Sequence, residues 1–243
     1  MAHVSNKRHL RNIAIPRTWP ISRKKYYWIK RLSTNGYKYE YSMPILLWLR
    51  DYLNIVKTQK EAKYILQNGK VLVNNKKIND LGYSVGIFDV ISIPDLNKSY
   101  RVVISNNLKL KLIEIPENEK DFKIIRINRK MLVEGGKIQV TGIDGRNFII
   151  DDKDVKTGDS ILFNTKENKI EKIIKMKEGN LVYIFYGAKS GTIGKLNSLK
   201  ILKKSFGHTR FIEYTNIENN KIEETVWDYA IVIGEDKPLI TVK

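Results

Sequence analysis

The stretch from Lys57 to Asp80, KTQKEAKYILQNGKVLVNNKKIND, decides how this chain is read. Apolar side chains at Ala62, Ile65 and Leu66 recur at helical spacing, while Lys60, Lys63 and Gln67 fall on a different face. Thr58, followed three residues on by Glu61, has the form of a capping box, so a helix should open there. Gly69 stands where a left-handed residue is wanted just past a helix end. Val71 and Val73 then alternate as a strand does, Asn74–Asn75 suit a tight turn because asparagine tolerates positive φ, and Ile78 resumes the pattern. A short helix tied to a small hairpin thus carries Lys60, Lys63, Lys70, Lys76 and Lys77. Its apolar stripe should pack on a neighbour, leaving the cationic face outward.

Working outward, Ile45, Leu46, Trp48, Leu49, Tyr52 and Leu53 recur at helical spacing and predict a first helix after Pro44. On the other side, DVISI at 89–93 reads as a strand that closes the unit before Pro94. Beyond residue 100 the pattern is all-β: RVVI, LKLKLIEI, FKIIRI, KIQVTGI and NFIID are separated by Gly, Asn and Asp turns, and VKTGDSILF is a turn into another strand. A last unit starts near Lys172, with NLVYIFYG, GTIGKL, TRFIEYT and YAIVIG as strands of a small barrel.

With 243 residues, 42% of them hydrophobic, the chain can bury real cores. Its net charge of +18 points to a polyanionic partner. The charge is uneven. No acidic residue precedes Glu40, whereas Lys7, Arg8, Arg11, Arg17, Arg23, Lys24, Lys25 and Arg31 all do. This arm, residues 1–42, also holds His9, Trp19, Tyr26, Tyr27, Trp28 and Tyr37, and Pro16, Pro20 and Gly36 interrupt any long helix. Rings among cations predict a segment, disordered alone, that orders on RNA with its aromatics packing or stacking. The alternative is that the rings pin the arm to its own domain. Residues 211–243 are mildly acidic instead.

Catalytic chemistry finds little support. The absence of cysteine excludes disulfides, thiol catalysis and thiolate-bound zinc. His3, His9 and His208 are not spaced as a triad or ligand set, and DDKDVKTGD lacks the ligand order of a calcium loop. GNLVYIFYGAKSGTIGKL at 179–196 fails as a phosphate-binding loop, having Lys189 where glycine is needed and Leu196 where Ser or Thr is. Gly187, Gly191 and Gly194 also miss dinucleotide spacing. No metal or cofactor is expected. MAHVSNKRHL lacks an apolar signal core and MPILLWL is too short to cross a bilayer, so a soluble intracellular protein without membrane partners is expected.

The order helix, capped helix, hairpin, GIFDVISI over residues 44–93 resembles the RNA-binding domain named after bacterial small-subunit protein four. That resemblance implies RNA contact through Lys60, Lys63, Lys70, Asn74, Lys76 and Lys77. Asn75 departs from the family's usual glycine, and GIFD stands where Pro-Gly-Asp is common. Residues 179–196 resemble the KOW motif, with Gly187, Lys189, Gly191, Gly194 and Lys195 in its loop and a partner that is either RNA or protein. GIDGRN at 142–147 is similar to the Asp-Arg pairing of pseudouridine synthases, but the segment is too short to hold their catalytic domain, and a hairpin turn is the better reading.

The colinear set resembles one family across nearly the whole chain. NKRHLRNIAIPRTW, RLSTNGYKYEYSMPILLWLRD, GIFDVISI, GNLVYIFYGAKSGTIG and DYAIVIG are similar to segments of the S-four-e family of small-subunit ribosomal proteins, archaeal and eukaryotic. The richness in Ile, Lys and Asn fits an archaeal source. The resemblance implies an α+β, multidomain chain: a basic aromatic arm (1–42), the RNA-binding module (43–105), a central β domain (106–172) and a KOW-containing, SH3-like barrel (173–243). It further implies a non-enzymatic, ribosome-bound cytoplasmic protein whose partners are small-subunit ribosomal RNA and neighbouring ribosomal proteins, with no small-molecule substrate and no homo-oligomer. An RNA-modifying enzyme and a transcription elongation partner carrying a KOW module are the rival readings.

Overall fold

The computed structural model describes residues 9–33, 36–204 and 207–242, which form few helical turns and many antiparallel strands. Lys7 and Arg8 lie outside the described residues. In the arm, β1 (Leu10–Arg11) pairs with β2 (Trp28–Ile29). β3 (Ser42–Pro44) leads into α1 (Ile45–Leu47), which continues as a π-helical turn, Trp48–Tyr52. Ile45 through Leu49 are all buried, so this segment is apolar all round rather than the one-sided helix its spacing predicts.

α2 (Gln59–Gln67) opens as expected: the Glu61 N–H donates to the Thr58 hydroxyl at 3.2 Å, and the Glu61 carboxylate accepts from the Lys57 N–H at 2.8 Å. Gly69 has φ +70°, and Asn74 and Asn75 have φ of +50° and +61° in the turn between β4 (Leu72–Val73) and β5 (Lys76–Lys77). β6 (Ser84–Gly86) pairs with β3. β7 (Val90–Ile93), β8 (Lys98–Ile104) and β9 (Leu110–Ile115) complete a sheet ordered β5-β4-β7-β8-β9. A division at 105/106 therefore falls inside the β8–β9 hairpin, whose register runs from Ser99↔Ile115 to Ile104↔Leu110.

The second sheet takes β10 (Phe122–Leu132), β11 (Ile138–Gly142), β12 (Asn147–Ile150), β13 (Ser160–Asn164) and β14 (Lys169–Ile174), in the order β12-β11-β10-β13-β14. One half of β10 pairs with β13 and the other with β11, and a register shift between Ile127 and Arg129 turns the strand from one to the other. The third sheet comprises β15 (Leu181–Ile184), β16 (Ile193–Lys204), β17 (Gly207–Asn216), β18 (Ile222–Val226) and β19 (Ala230–Gly234), ordered β18-β17-β16-β15-β19. β14 and β18 add to the expected strands, and β14 crosses the division expected at 172/173.

Strands β15 and β19 are buried on both faces. Val182, Ile184, Ala230 and Val232 join Leu196, Ile212 and Tyr214 in one cluster. The alternate residues Leu181, Tyr183, Phe185, Ile231 and Ile233 enter the large core shared with the arm, α1, α2 and the first sheet. The period-two side-chain alternation thus welds the last sheet to the RNA-binding-type module.

Candidate nucleic-acid interface

The arm is held on its own chain by apolar burial. Ile15, Trp19, Ile29 and Leu32 lie in the main core. Trp19 is 1% exposed, stacks on Tyr39 with centroids 6.0 Å apart, and donates from Nε1 to the Tyr39 carbonyl at 3.2 Å. This corrects one expectation: Trp19 is held inside the chain's own core and cannot stack on a base, so at this ring the arm is pinned to its own domain. The cations remain outward. Arg11, Arg17, Arg23, Lys24 and Lys25 are exposed, as is His9, and Arg31 is half-buried. Arg23 donates to the Ile15 carbonyl at 3.3 Å, and Lys109 caps the Arg17 carbonyl, so backbone contacts hold this cationic surface in shape. Lys25 reaches Asp51 at 3.6 Å.

On the module, Lys60, Lys63, Lys76 and Lys77 are exposed, and no acidic side chain pairs with them among the described residues. An alanine-sized group at Gly69 would meet the Lys77 stem at 3.5 Å, which places the hairpin cations beside the end of α2. Lys70 reaches Asp95 at 3.1 Å across the surface. Asn74 departs from expectation. It is buried, donates to Asp89 at 2.7 Å and accepts from the Val90 N–H at 2.9 Å, so it fixes the hairpin rather than touching a ligand. Tyr64 was not singled out by the sequence pattern. It is 66% exposed, one residue after Lys63, and adds a ring to the cationic face. A tyrosine among lysines on the outer side of an amphipathic helix is the signal that would have found it.

The S4 domain profile matches residues 43–91, and that of ribosomal family S4e matches residues 96–170. Small ribosomal subunit protein eS4 of Methanosphaera stadtmanae is 38% identical over 241 residues, 99% of this chain and 98% of that protein. The eS4 of Nanoarchaeum equitans is 42% identical over 194 residues, covering 79% of this chain and 82% of its own. The chain belongs to the ribosomal S4e family. The crystal structure of 30S ribosomal protein S4e from Thermoplasma acidophilum superposes with a TM-score of 0.68 at 31% identity, over 80% of this chain and 95% of that one. S4e proteins are ribosomal structural proteins and not an enzyme class.

In this S4e chain the loop from Gly187 to Lys195 folds back on its own module. Gly187 and Gly191 take φ of +91° and +79°. A Cβ at Gly191 would fall 2.7 Å from the Asn106 nitrogen, so glycine here permits close backbone approach to residues 105–106. Gly194 has no positive φ; it lies in β16, where its missing side chain makes room for the Tyr214 ring. Lys189 pairs with Glu223 at 3.0 Å, and Lys195 is exposed. The loop's close partner is therefore intramolecular.

The acid in GIDGRN is committed as well. The Lys123 ammonium, buried, lies 2.7 Å from Asp89, 2.8 Å from Asp144 and 2.8 Å from the Tyr37 hydroxyl. Burial works against the Asp144 carboxylate, but Lys123 and the Arg146 N–H outweigh it and hold its pKa below the ordinary aspartate value. A carboxylate so paired is an inert anchor, and Gly145 at φ +79° makes the turn beside it. Among the described residues no His, Asp or Glu group has metal-holding geometry, and no helix is long and apolar enough to cross a membrane.

Proposed function

We propose that this chain is a structural constituent of the small ribosomal subunit, binding ribosomal RNA through phosphate and shape recognition and supporting assembly and translation. The observation that carries the reading is the pairing of end-to-end similarity to archaeal eS4 proteins with two outward cationic faces, on the arm and on the α2–hairpin unit. RNA phosphates displace counterions on such faces, so affinity falls steeply with salt. The contact set is Lys7, Arg8, His9, Arg11, Arg17, Arg23, Lys24, Lys25 and Arg31 on the arm, with Lys60, Lys63, Lys70, Lys76 and Lys77 on the module. Trp19 and Asn74 support it from within.

The last sheet is read as a KOW-containing, SH3-like small barrel that docks neighbouring ribosomal proteins through its mildly acidic C-terminal stretch, residues 211–243. The protein works ribosome-bound in the cytoplasm, as a monomer, without a small-molecule substrate. The working divisions remain arm, module, central β domain and barrel, and they describe sequence units rather than independent bodies. The buried, lysine-paired Asp144 speaks against an RNA-modifying centre.

Sedimentation of the tagged protein from cell lysate tests the proposal. It should peak with the small subunit and stay there after a high-salt wash. Release at high salt would assign it to loosely bound factors, and sedimentation only at the top of the gradient, or with RNA polymerase, would overturn the ribosomal role.

A further inference from the structure

The β1–β2 ribbon of the arm sets Arg11 directly opposite Trp28, and Leu10 opposite Ile29. Ile29 turns into the core and is 6% exposed, whereas Trp28 is 51% exposed on the outward side. Trp19 and Trp48 are, by contrast, almost wholly buried. A half-wet indole is an expensive way to place so large an apolar face, and its position needs a reason. Beside it is a cleft of about 640 Å³, walled by Trp28, Tyr39, Ala14, His9, Arg11 and Arg31. That volume falls within the range of small-ligand sites and has room for a nucleotide.

The walls are preset rather than loose. Tyr27 meets Trp28 edge-on with centroids 4.8 Å apart, and His9 lies 5.3 Å away at a tilt. Tyr39 is backed by the buried Trp19, which both stacks on it and bonds its carbonyl. Among the described residues no carboxylate lines the cleft. An indole in a cleft that two arginines also line, with no carboxylate among its described lining residues, has the chemistry of a single-nucleotide site: the base stacks and the adjoining phosphates meet arginine.

We propose that this cleft receives one unpaired nucleobase of the bound RNA, stacked on Trp28, with its flanking phosphates on Arg11 and Arg31. The inference rests on the ribosomal-RNA reading above and narrows it: the arm would recognise a bulged or looped nucleotide and not only backbone shape. An acidic peptide with a bulky apolar side chain is the competing occupant. It is disfavoured because Trp28 and Tyr39 bring two aromatic rings to the same cleft as Arg11 and Arg31.

The test uses the full-length protein and two RNA hairpins identical except for one bulged 2-aminopurine. The protein should bind the bulged hairpin about 5- to 100-fold more tightly, the range expected for one base stacked on an aromatic ring, and quench its fluorescence. Trp28→Leu should abolish both the preference and the quenching while leaving the salt dependence of binding unchanged, and Trp28→Tyr should restore most of the preference. Trp28 is half exposed, so these variants should fold, which far-ultraviolet circular dichroism checks. Equal affinity for the two hairpins with a normal salt slope, or a preference that survives in Trp28→Leu, overturns the nucleobase site and leaves the RNA reading standing. Failure to bind either hairpin at low salt removes the RNA reading itself. Quenching of Trp28 by a poly-glutamate peptide carrying a phenylalanine, without any preference for the bulge, would assign the cleft to a protein partner instead.

Discussion

Lys123 shows how one residue can be misread from sequence alone. It stands among cations in a basic chain, yet it is buried between Asp89 of the module, Asp144 of the central sheet and Tyr37 of the arm. Burial penalises its charge, but Asp144 and Asp89 overcome this and raise its pKa above the ordinary lysine value. A group raised on folding contributes stability below its unfolded pKa and loses it as pH rises through the folded one. Asp144, lowered on folding, contributes above its unfolded pKa and loses it as pH falls through the folded one. Stability should therefore be flat from about pH 5 to 10, with losses outside that window from acid and alkali respectively. Lys123→Met should cost about 3–5 kcal/mol in urea unfolding, because two buried carboxylates lose their partner. It should also flatten the acid limb, because Asp144 without Lys123 loses the interaction that holds its pKa below the unfolded value. A cost below about 1 kcal/mol would mean that these carboxylates find other solvation. The exposed Arg17 and Arg23 are the opposite case. Replacing both with alanine should cost no more than about 1 kcal/mol, the contribution of the Arg23–Ile15 hydrogen bond, and lower the salt slope of RNA binding by about two, one per phosphate contact; an unchanged slope would take this part of the arm off the RNA.

At the scale of elements, α2 and its hairpin follow from local chemistry. Thr58 caps within its own first turn, while Gly69 at the helix end and two asparagines in the turn supply the positive φ the chain needs there. Thr58→Ala should destabilise by about 1 kcal/mol in thermal or urea unfolding, the usual worth of an N-cap. On the proposed reading, the four lysines of this unit, which pair with no acidic side chain among the described residues, serve binding rather than folding. Replacing Lys60, Lys63, Lys76 and Lys77 with alanine should leave stability within about 0.5 kcal/mol and reduce the RNA salt slope by about three to four. A large stability loss would show that the cations pack rather than bind. The helix after Pro44 was legible from its spacing, but not that Ile45 through Leu49 would be buried all round. β18 (Ile222–Val226) was not legible: it pairs Glu223 with Tyr214 and Glu224 with Glu213 at a sheet edge, where pattern is weak.

For the whole molecule, buried cations tie the sheets together. Arg101 of β8 donates to Glu119 at 2.8 Å and to the Thr241 carbonyl at 3.0 Å, while Ile240 and Val242 fill the main core. Truncation after Gly234 removes both aliphatic side chains and the Thr241 partner. It should destabilise the entire chain by at least about 4 kcal/mol, seen as one lowered transition by fluorescence and circular dichroism together. Two separated transitions would show that the last sheet melts on its own. The apolar runs NLVYIF and YAIVIG already announced strands, though not that both their faces would be buried, and charge asymmetry and turn residues already marked the arm, the module and their cationic surfaces. These are local or compositional signals, carried by neighbours in the chain. The sequence by itself thus determined the element types, the family and the polyanionic partner class. Only the tertiary structure decided which cations stay exposed and which brace the core. Arg101 and Lys123 pair with residues 18 and 21 positions away, and Lys123 with Asp89 farther still. It also decided that Trp19 and Asn74 turn inward while Trp28 stays out, because burial depends on what folds over a side chain, and no local pattern encodes that.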